Sequence, residues 1–80
     1  MKTVRVRYFA ILREQRGLDD ERVATEAATA GELYDELRAL HRLTFPRDGL
    51  RVAINEDFEP WSTALRDGDT LVFIPPVAGG

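Results

Sequence analysis

Thr29-Ala30-Gly31-Glu32-Leu33-Tyr34-Asp35-Glu36-Leu37-Arg38-Ala39-Leu40-His41-Arg42-Leu43 is the one long segment of this 80-residue chain with a helical period, and the segments on either side alternate like strands. Thr29 and Glu32 have the T-x-x-E spacing of a capping box: the threonine hydroxyl accepts from the Glu32 amide, and the Glu32 carboxylate reaches back to the Thr29 amide. The helix is therefore expected to start at Ala30. Leu33, Leu37 and Leu40 recur at intervals of four and three and form an apolar stripe, with Glu32, Asp35, Glu36, Arg38 and Arg42 around it. Pro46 and Gly49 bound the next loop, so the helix ends near Leu43.

Upstream, residues 2–9 place Val4, Val6 and Tyr8 on one face and Arg5, Arg7 and Phe9 on the other, the period of a half-buried strand. Residues 10–17 form a connection with room for a short helical turn, and residues 22–27 give a weaker second strand, antiparallel to the first. Downstream, residues 51–55 alternate with Val52 and Ile54 inward, Asn55, Glu56 and Asp57 supply a turn, and residues 58–60 pair briefly. Residues 61–65 are expected to form a short helical turn that tucks Leu65 inward. The Asp67-Gly68-Asp69 turn then leads into a last strand, residues 70–74, with Leu71 and Phe73 on one side and Val72 and Ile74 on the other. This order predicts an α+β domain of the ubiquitin-like β-grasp type: a mixed sheet with one main helix on one face and the first and last strands side by side at its centre.

At this length the chain is one domain spanning residues 1–80, with residues 75–80 as a flexible tail and little room for an internal active site. The absence of cysteine removes disulfides, thiolate nucleophiles and the usual zinc ligands, and the lone imidazole, His41, at the edge of the leucine stripe, is read as structural or solvent-facing. Asp35 with Glu36, and Asp67 with Asp69, match no metal motif, so no metal is expected. A formal charge of −3, with 14 acidic against 11 basic residues, argues against nucleic acid as a partner. Charges interrupt every apolar pair near the N-terminus, so neither a signal peptide nor a membrane span is expected and the protein is placed in the cytoplasm.

Two features could carry chemistry. On the sheet face away from the helix, Phe9, Val72 and Ile74 have no second layer to cover them, which marks an interface; Phe58 either extends that patch or packs in the core. The second is the ending Pro75-Pro76-Val77-Ala78-Gly79-Gly80. The prolines lack backbone donors, so they end the strand and favour an extended exit, and six extended residues reach roughly 20 Å. Glycines without Cβ atoms can thread a narrow channel. A free carboxylate at Gly80 is a poor electrophile until joined to AMP, after which a sulfur donor can convert it to a thiocarboxylate. Such a domain would be a carrier, with the adenylation done by another enzyme.

Tyr8-Phe9-Ala10 with Arg13, Glu14 and Gly17, then Asn55, Asp67-Gly68-Asp69 and above all Phe73 through Gly80 resemble the MoaD group of the MoaD/ThiS sulfur carriers, the small subunits of molybdopterin synthase. The resemblance covers nearly the whole chain. It implies that Gly80 is adenylated by an activating enzyme similar to the ubiquitin-activating class, which uses ATP, and then receives sulfur from a donor protein. It further implies that residues Pro75, Pro76, Val77, Ala78 and Gly79 insert with Gly80 into the large synthase subunit. There two such sulfurs convert precursor Z, cyclic pyranopterin monophosphate, into the dithiolene of molybdopterin. The carrier would hold no stable cofactor and supply no catalytic side chain. Phe9, Phe58 and Ile74 match the family's docking surface, although the last position is often aromatic there.

Three other readings stay open: a carrier for thiamine, cysteine or tRNA thiolation, a ubiquitin-like modifier conjugated through Gly80, and a binding domain with an inert tail.

Overall fold

In a computed structural model, residues 1–75 are described, and they form a five-stranded sheet with one main helix across it. In chain order the elements are β1 (Lys2–Tyr8), a short α1 (Ile11–Arg16), β2 (Asp20–Thr25), α2 (Ala30–His41), β3 (Arg51–Ile54), β4 (Asp57–Glu59) and β5 (Thr70–Ile74), with a single 3-10 turn at Arg47–Gly49. The sheet order is β2-β1-β5-β3-β4, and among the described residues the only parallel pair is β1 with β5 at the centre. This is the β-grasp arrangement expected from the pattern.

Strand β1 alternates as read, with Val4, Val6 and Tyr8 buried beneath α2 and the intervening residues outward. Strand β2 begins at Asp20 and ends at Thr25 rather than running over residues 22–27, because its pairing with β1 extends to Arg7↔Asp20. Lys2, the one lysine of the chain, opens β1 and its Nζ donates to the Ala27 carbonyl at 2.8 Å.

The capping box forms in part. Thr29 Oγ1 accepts from the Glu32 amide at 3.2 Å, but the Glu32 carboxylate accepts from the Thr29 hydroxyl rather than from its amide. The helix buries Ala30, Leu33, Tyr34 and Leu37, whereas Leu40, expected in the stripe, is 73% exposed. The cause is the helix end. Arg42 turns left-handed at φ 56° after His41, and this brings Leu43 back onto the core in the place Leu40 was expected to fill.

Residues 61–65 are not helical. They run as an irregular strap whose Trp61 and Thr63 carbonyls accept from the Gly31 and Ala30 amides at 2.9 and 3.1 Å, satisfying N–H groups that a helix start leaves without internal partners. Gly31 makes this approach possible, since a Cβ there would collide with the Arg47 guanidinium and stand 3.3 Å from the Trp61 carbonyl.

Phe73 of β5, with no exposed surface, anchors the core. The Tyr34 ring meets it edge-on at 4.9 Å, Trp61 stacks at 5.9 Å and Tyr8 lies at 6.5 Å. The Tyr34 hydroxyl escapes this apolar setting by donating to the Phe45 carbonyl at 2.6 Å, and burial raises its pKa.

Candidate docking face and tail exit

Alternation on β5 decides the site. Since Leu71 and Phe73 point into the core, Val72 and Ile74 must point to the opposite, uncovered face. The register adds their neighbours: Phe58, Ala53, Val72, Arg7 and Asp20 lie in one row across the sheet, and Ile74 lies opposite Arg51 in the next. Tyr8 pairs with Phe73, so Phe9 stands one residue on, beside Ile74.

The structure therefore brings the three predicted docking residues to one face. Phe9 is 58% exposed and Phe58 55% exposed, which removes the core reading of Phe58, and Ile74 is half-buried between them. They do not form an unbroken patch. Arg51 lies between Ile74 and Phe58, its guanidinium carbon 3.9 Å from the centre of the Phe58 ring. Nothing in the local pattern signals this contact, although the inward reading of Val52 and Ile54 already sends Arg51 and Ala53 outward.

Phe9 projects because its neighbour is held inside. The Tyr8 hydroxyl donates to Glu21 Oε2 at 2.7 Å, and Arg16 grips the same carboxylate through Nε and Nη2 at 2.9 and 2.8 Å. His41 Nε2 stands 4.0 Å from Glu21 Oε2, which gives that imidazole a place beside the hub and none on the docking face. The Arg16 hydrogen bonds hold the Glu21 carboxyl below its usual range, while burial, reinforced by the Glu21 hydrogen bond, pushes the Tyr8 phenol well up. The hub ties α1 to β2. Ala10 then turns the corner at φ 51°, in the region that favours glycine, and the chain leaves Phe9 at the rim.

The two turn motifs at the other end of the sheet are structural. Asn55 donates to Asp69 Oδ1 at 2.9 Å and accepts from the Thr70 amide at 3.0 Å, while Asp69 Oδ2 accepts from the Arg66 amide at 2.8 Å. Asp67 accepts from the Thr3 amide at 2.7 Å. Together they fix where β5 starts, and so where it ends. Among the described residues no group of three or more His, Cys, Asp or Glu is placed to hold a metal ion, and no helix is long and apolar enough to cross a membrane.

β5 delivers Pro75, half-buried, beside the Tyr8–Phe9 end of β1. The expected tail residues Pro76, Val77, Ala78, Gly79 and Gly80 lie outside the described residues.

A family model described as the ThiS family matches residues 6–80. The chain belongs to that family. It is 39% identical over 85 residues to the molybdopterin synthase sulfur carrier subunit of Mycobacterium tuberculosis, covering all of both chains. It is 35% identical to the same subunit of Haemophilus influenzae, covering 94% of this chain and 96% of that one. Among solved structures, the small archaeal modifier protein 1 of Haloferax volcanii matches with a TM-score of 0.81 at 26% identity, over 96% of this chain and all of that one. A protein–protein complex of subunits 1 and 2 of the molybdopterin-converting factor from Helicobacter pylori matches with a TM-score of 0.64 at 26% identity, over 98% and 99% of the two chains.

Proposed function

We propose that this ThiS-family chain is the sulfur carrier subunit of a molybdopterin synthase, loaded at Gly80 and docked through the sheet face that carries Phe9, Ile74 and Phe58. The observation that carries the reading is the junction at the end of β5, where Pro75 emerges at the rim of an exposed apolar face. The face holds the domain while the residues beyond Pro75 reach into a partner.

The chemistry follows from the carboxylate. Its oxygen attacks the α-phosphate of ATP in an activating enzyme, pyrophosphate leaves, and the acyl adenylate gains a leaving group. Attack by sulfide-level sulfur on the carbonyl carbon expels AMP and leaves a thiocarboxylate. That sulfur, softer and more nucleophilic than oxygen, is then delivered in the large subunit to precursor Z. ATP belongs to the activating partner, sulfur to a donor protein, and no cofactor resides on the carrier.

Intact-mass spectrometry after incubation with ATP, a sulfur source and an activating enzyme tests this directly. The expected result is one oxygen-to-sulfur exchange at the C-terminal peptide, absent when Gly80 is deleted. An unchanged mass in the loaded reaction overturns the carrier reading.

The likeness to an archaeal modifier protein supports a second reading, conjugation of Gly80 to lysines of other proteins. Isopeptide-linked adducts in the same incubation, without sulfur exchange, would favour it.

A further inference from the structure

We propose that the docking face is an arginine-flanked receptor that selects a protein surface offering two carboxylates with apolar side chains between them. The proposal rests on the carrier reading in one respect, that this face binds a protein.

The outer positions of the five strands carry Arg5, Arg7, Arg22 and Arg51 but only one carboxylate, Asp20, in a chain of net charge −3. Asp20 is already engaged by Arg5 at 3.0 Å. Among the described residues, Arg7, Arg22 and Arg51 have no carboxylate within 4.0 Å. The face is thus cationic on an acidic protein, and of its four strand arginines only Arg5 is paired from within.

Arg51 is prepositioned. Its guanidinium carbon is held over the Phe58 ring and, among the described residues, its N–H groups donate to no carboxylate, so they stay open to a bidentate one. Arg7 stands beside Val72 and, with Phe9 and Arg13, lines a cavity of about 340 Å³ at the rim, whose two carboxylates, Asp19 and Asp20, are paired with Arg13 and Arg5. Arg7 and Arg51 are two strands and two residues apart, which sets their Cα atoms about 12 Å from each other, and the Arg51 guanidinium reaches further outward, over Phe58 of β4. Val72, Ile74 and Ala53 fill the interval. That strip suits apolar side chains and not a row of phosphates.

Complementary charges of this kind raise the association rate and make it fall with salt, while a buried bidentate pair lengthens the complex's lifetime. The probe is the large subunit of molybdopterin synthase from the same organism, with binding kinetics followed from 50 to 500 mM NaCl. The association rate is expected to drop about tenfold across that range. Arg7→Gln and Arg51→Gln, both surface changes whose folding is checked by circular dichroism, should each weaken binding about fivefold or more, and together they should flatten the salt dependence. Arg51→Lys keeps the charge but not the fork, so it should restore the association rate and leave dissociation fast.

If Phe9→Asp weakens binding while the double glutamine variant binds as tightly as the parent, the arginine proposal falls and the docking reading stands. If Phe9→Asp also changes nothing, or the large subunit does not bind, the docking reading falls and takes the proposal with it. Competition by a single-stranded oligonucleotide that depends on Arg7 and Arg51 would overturn selectivity for a protein surface.

Discussion

Phe73→Leu tests whether the aromatic cluster is what holds β5, and with it the tail exit, in place. The leucine keeps an apolar side chain but loses the edge-on contact with Tyr34 at 4.9 Å and the stacked contact with Trp61 at 5.9 Å. Pairs of this geometry contribute ~0.5–1.5 kcal/mol each beyond their buried area, and the small void left behind adds ~0.5 kcal/mol, for a total of about 1.5–3.5 kcal/mol. A chain of this size is expected to have about 4–12 kcal/mol of stability, so the variant should still fold. With a urea slope on the order of 1 kcal/mol per molar, the unfolding midpoint should move down by roughly 2 M, read by the fluorescence of Trp61, the single tryptophan. Val72→Ala, one residue away but on the outer face, should cost under about 1 kcal/mol. The reasoning fails if Phe73→Leu leaves the midpoint in place, or if the two variants lose equal stability.

Phe9→Asp should leave the urea midpoint unchanged, since Phe9 is more than half exposed, while weakening capture by the large subunit at least tenfold; parental affinity in a pull-down titration would contradict the docking assignment. Glu56 occupies the second position of the two-residue β3–β4 loop at φ 77°, after Asn55 at φ 51°, so Glu56→Gly should raise stability by ~0.5 kcal/mol, the relief of left-handed strain exceeding the added entropy of the unfolded chain. Glu21→Gln should cost about 1–2 kcal/mol at pH 7. Because the folded Glu21 pKa is depressed, its contribution is present above the ordinary carboxylate value and is lost as pH falls through the lower folded value. Parent and variant should therefore differ most at neutral pH and converge in acid, and a difference independent of pH would refute the ionic account. At the alkaline end the raised Tyr8 pKa works the other way: past pH 10 the unfolded chain ionises first, and stability declines as pH rises.

Local patterns were legible where one physical constraint dominated. β1 alternates because it is buried on one face only, and β5 does so for the same reason, which is why the outward placement of Phe9, Val72 and Ile74 could be read from spacing. What escaped depends on contacts between distant segments. Residues 61–65 look helical locally, but their carbonyls serve the amides at the start of α2, thirty residues earlier in the chain. Leu40 fits the stripe by period, yet a left-handed Arg42 hands its place to Leu43. The Tyr8–Glu21–Arg16 hub joins three elements through side chains whose charges, in sequence, look like ordinary solvated ones. Arg51 on Phe58 needed only the β3–β4 register, which the hairpin's two-residue loop determines.

Lys2 lies at the opening end of β1, and because β1 and β5 run side by side in the same direction, Pro75 lies at the far end of the sheet. A resin, dye or sensor chip that grips lysine will therefore hold every copy of this domain by the same end. The end from which Pro75 leaves the sheet points away from the support, so an immobilised sample comes already oriented, without an engineered tag.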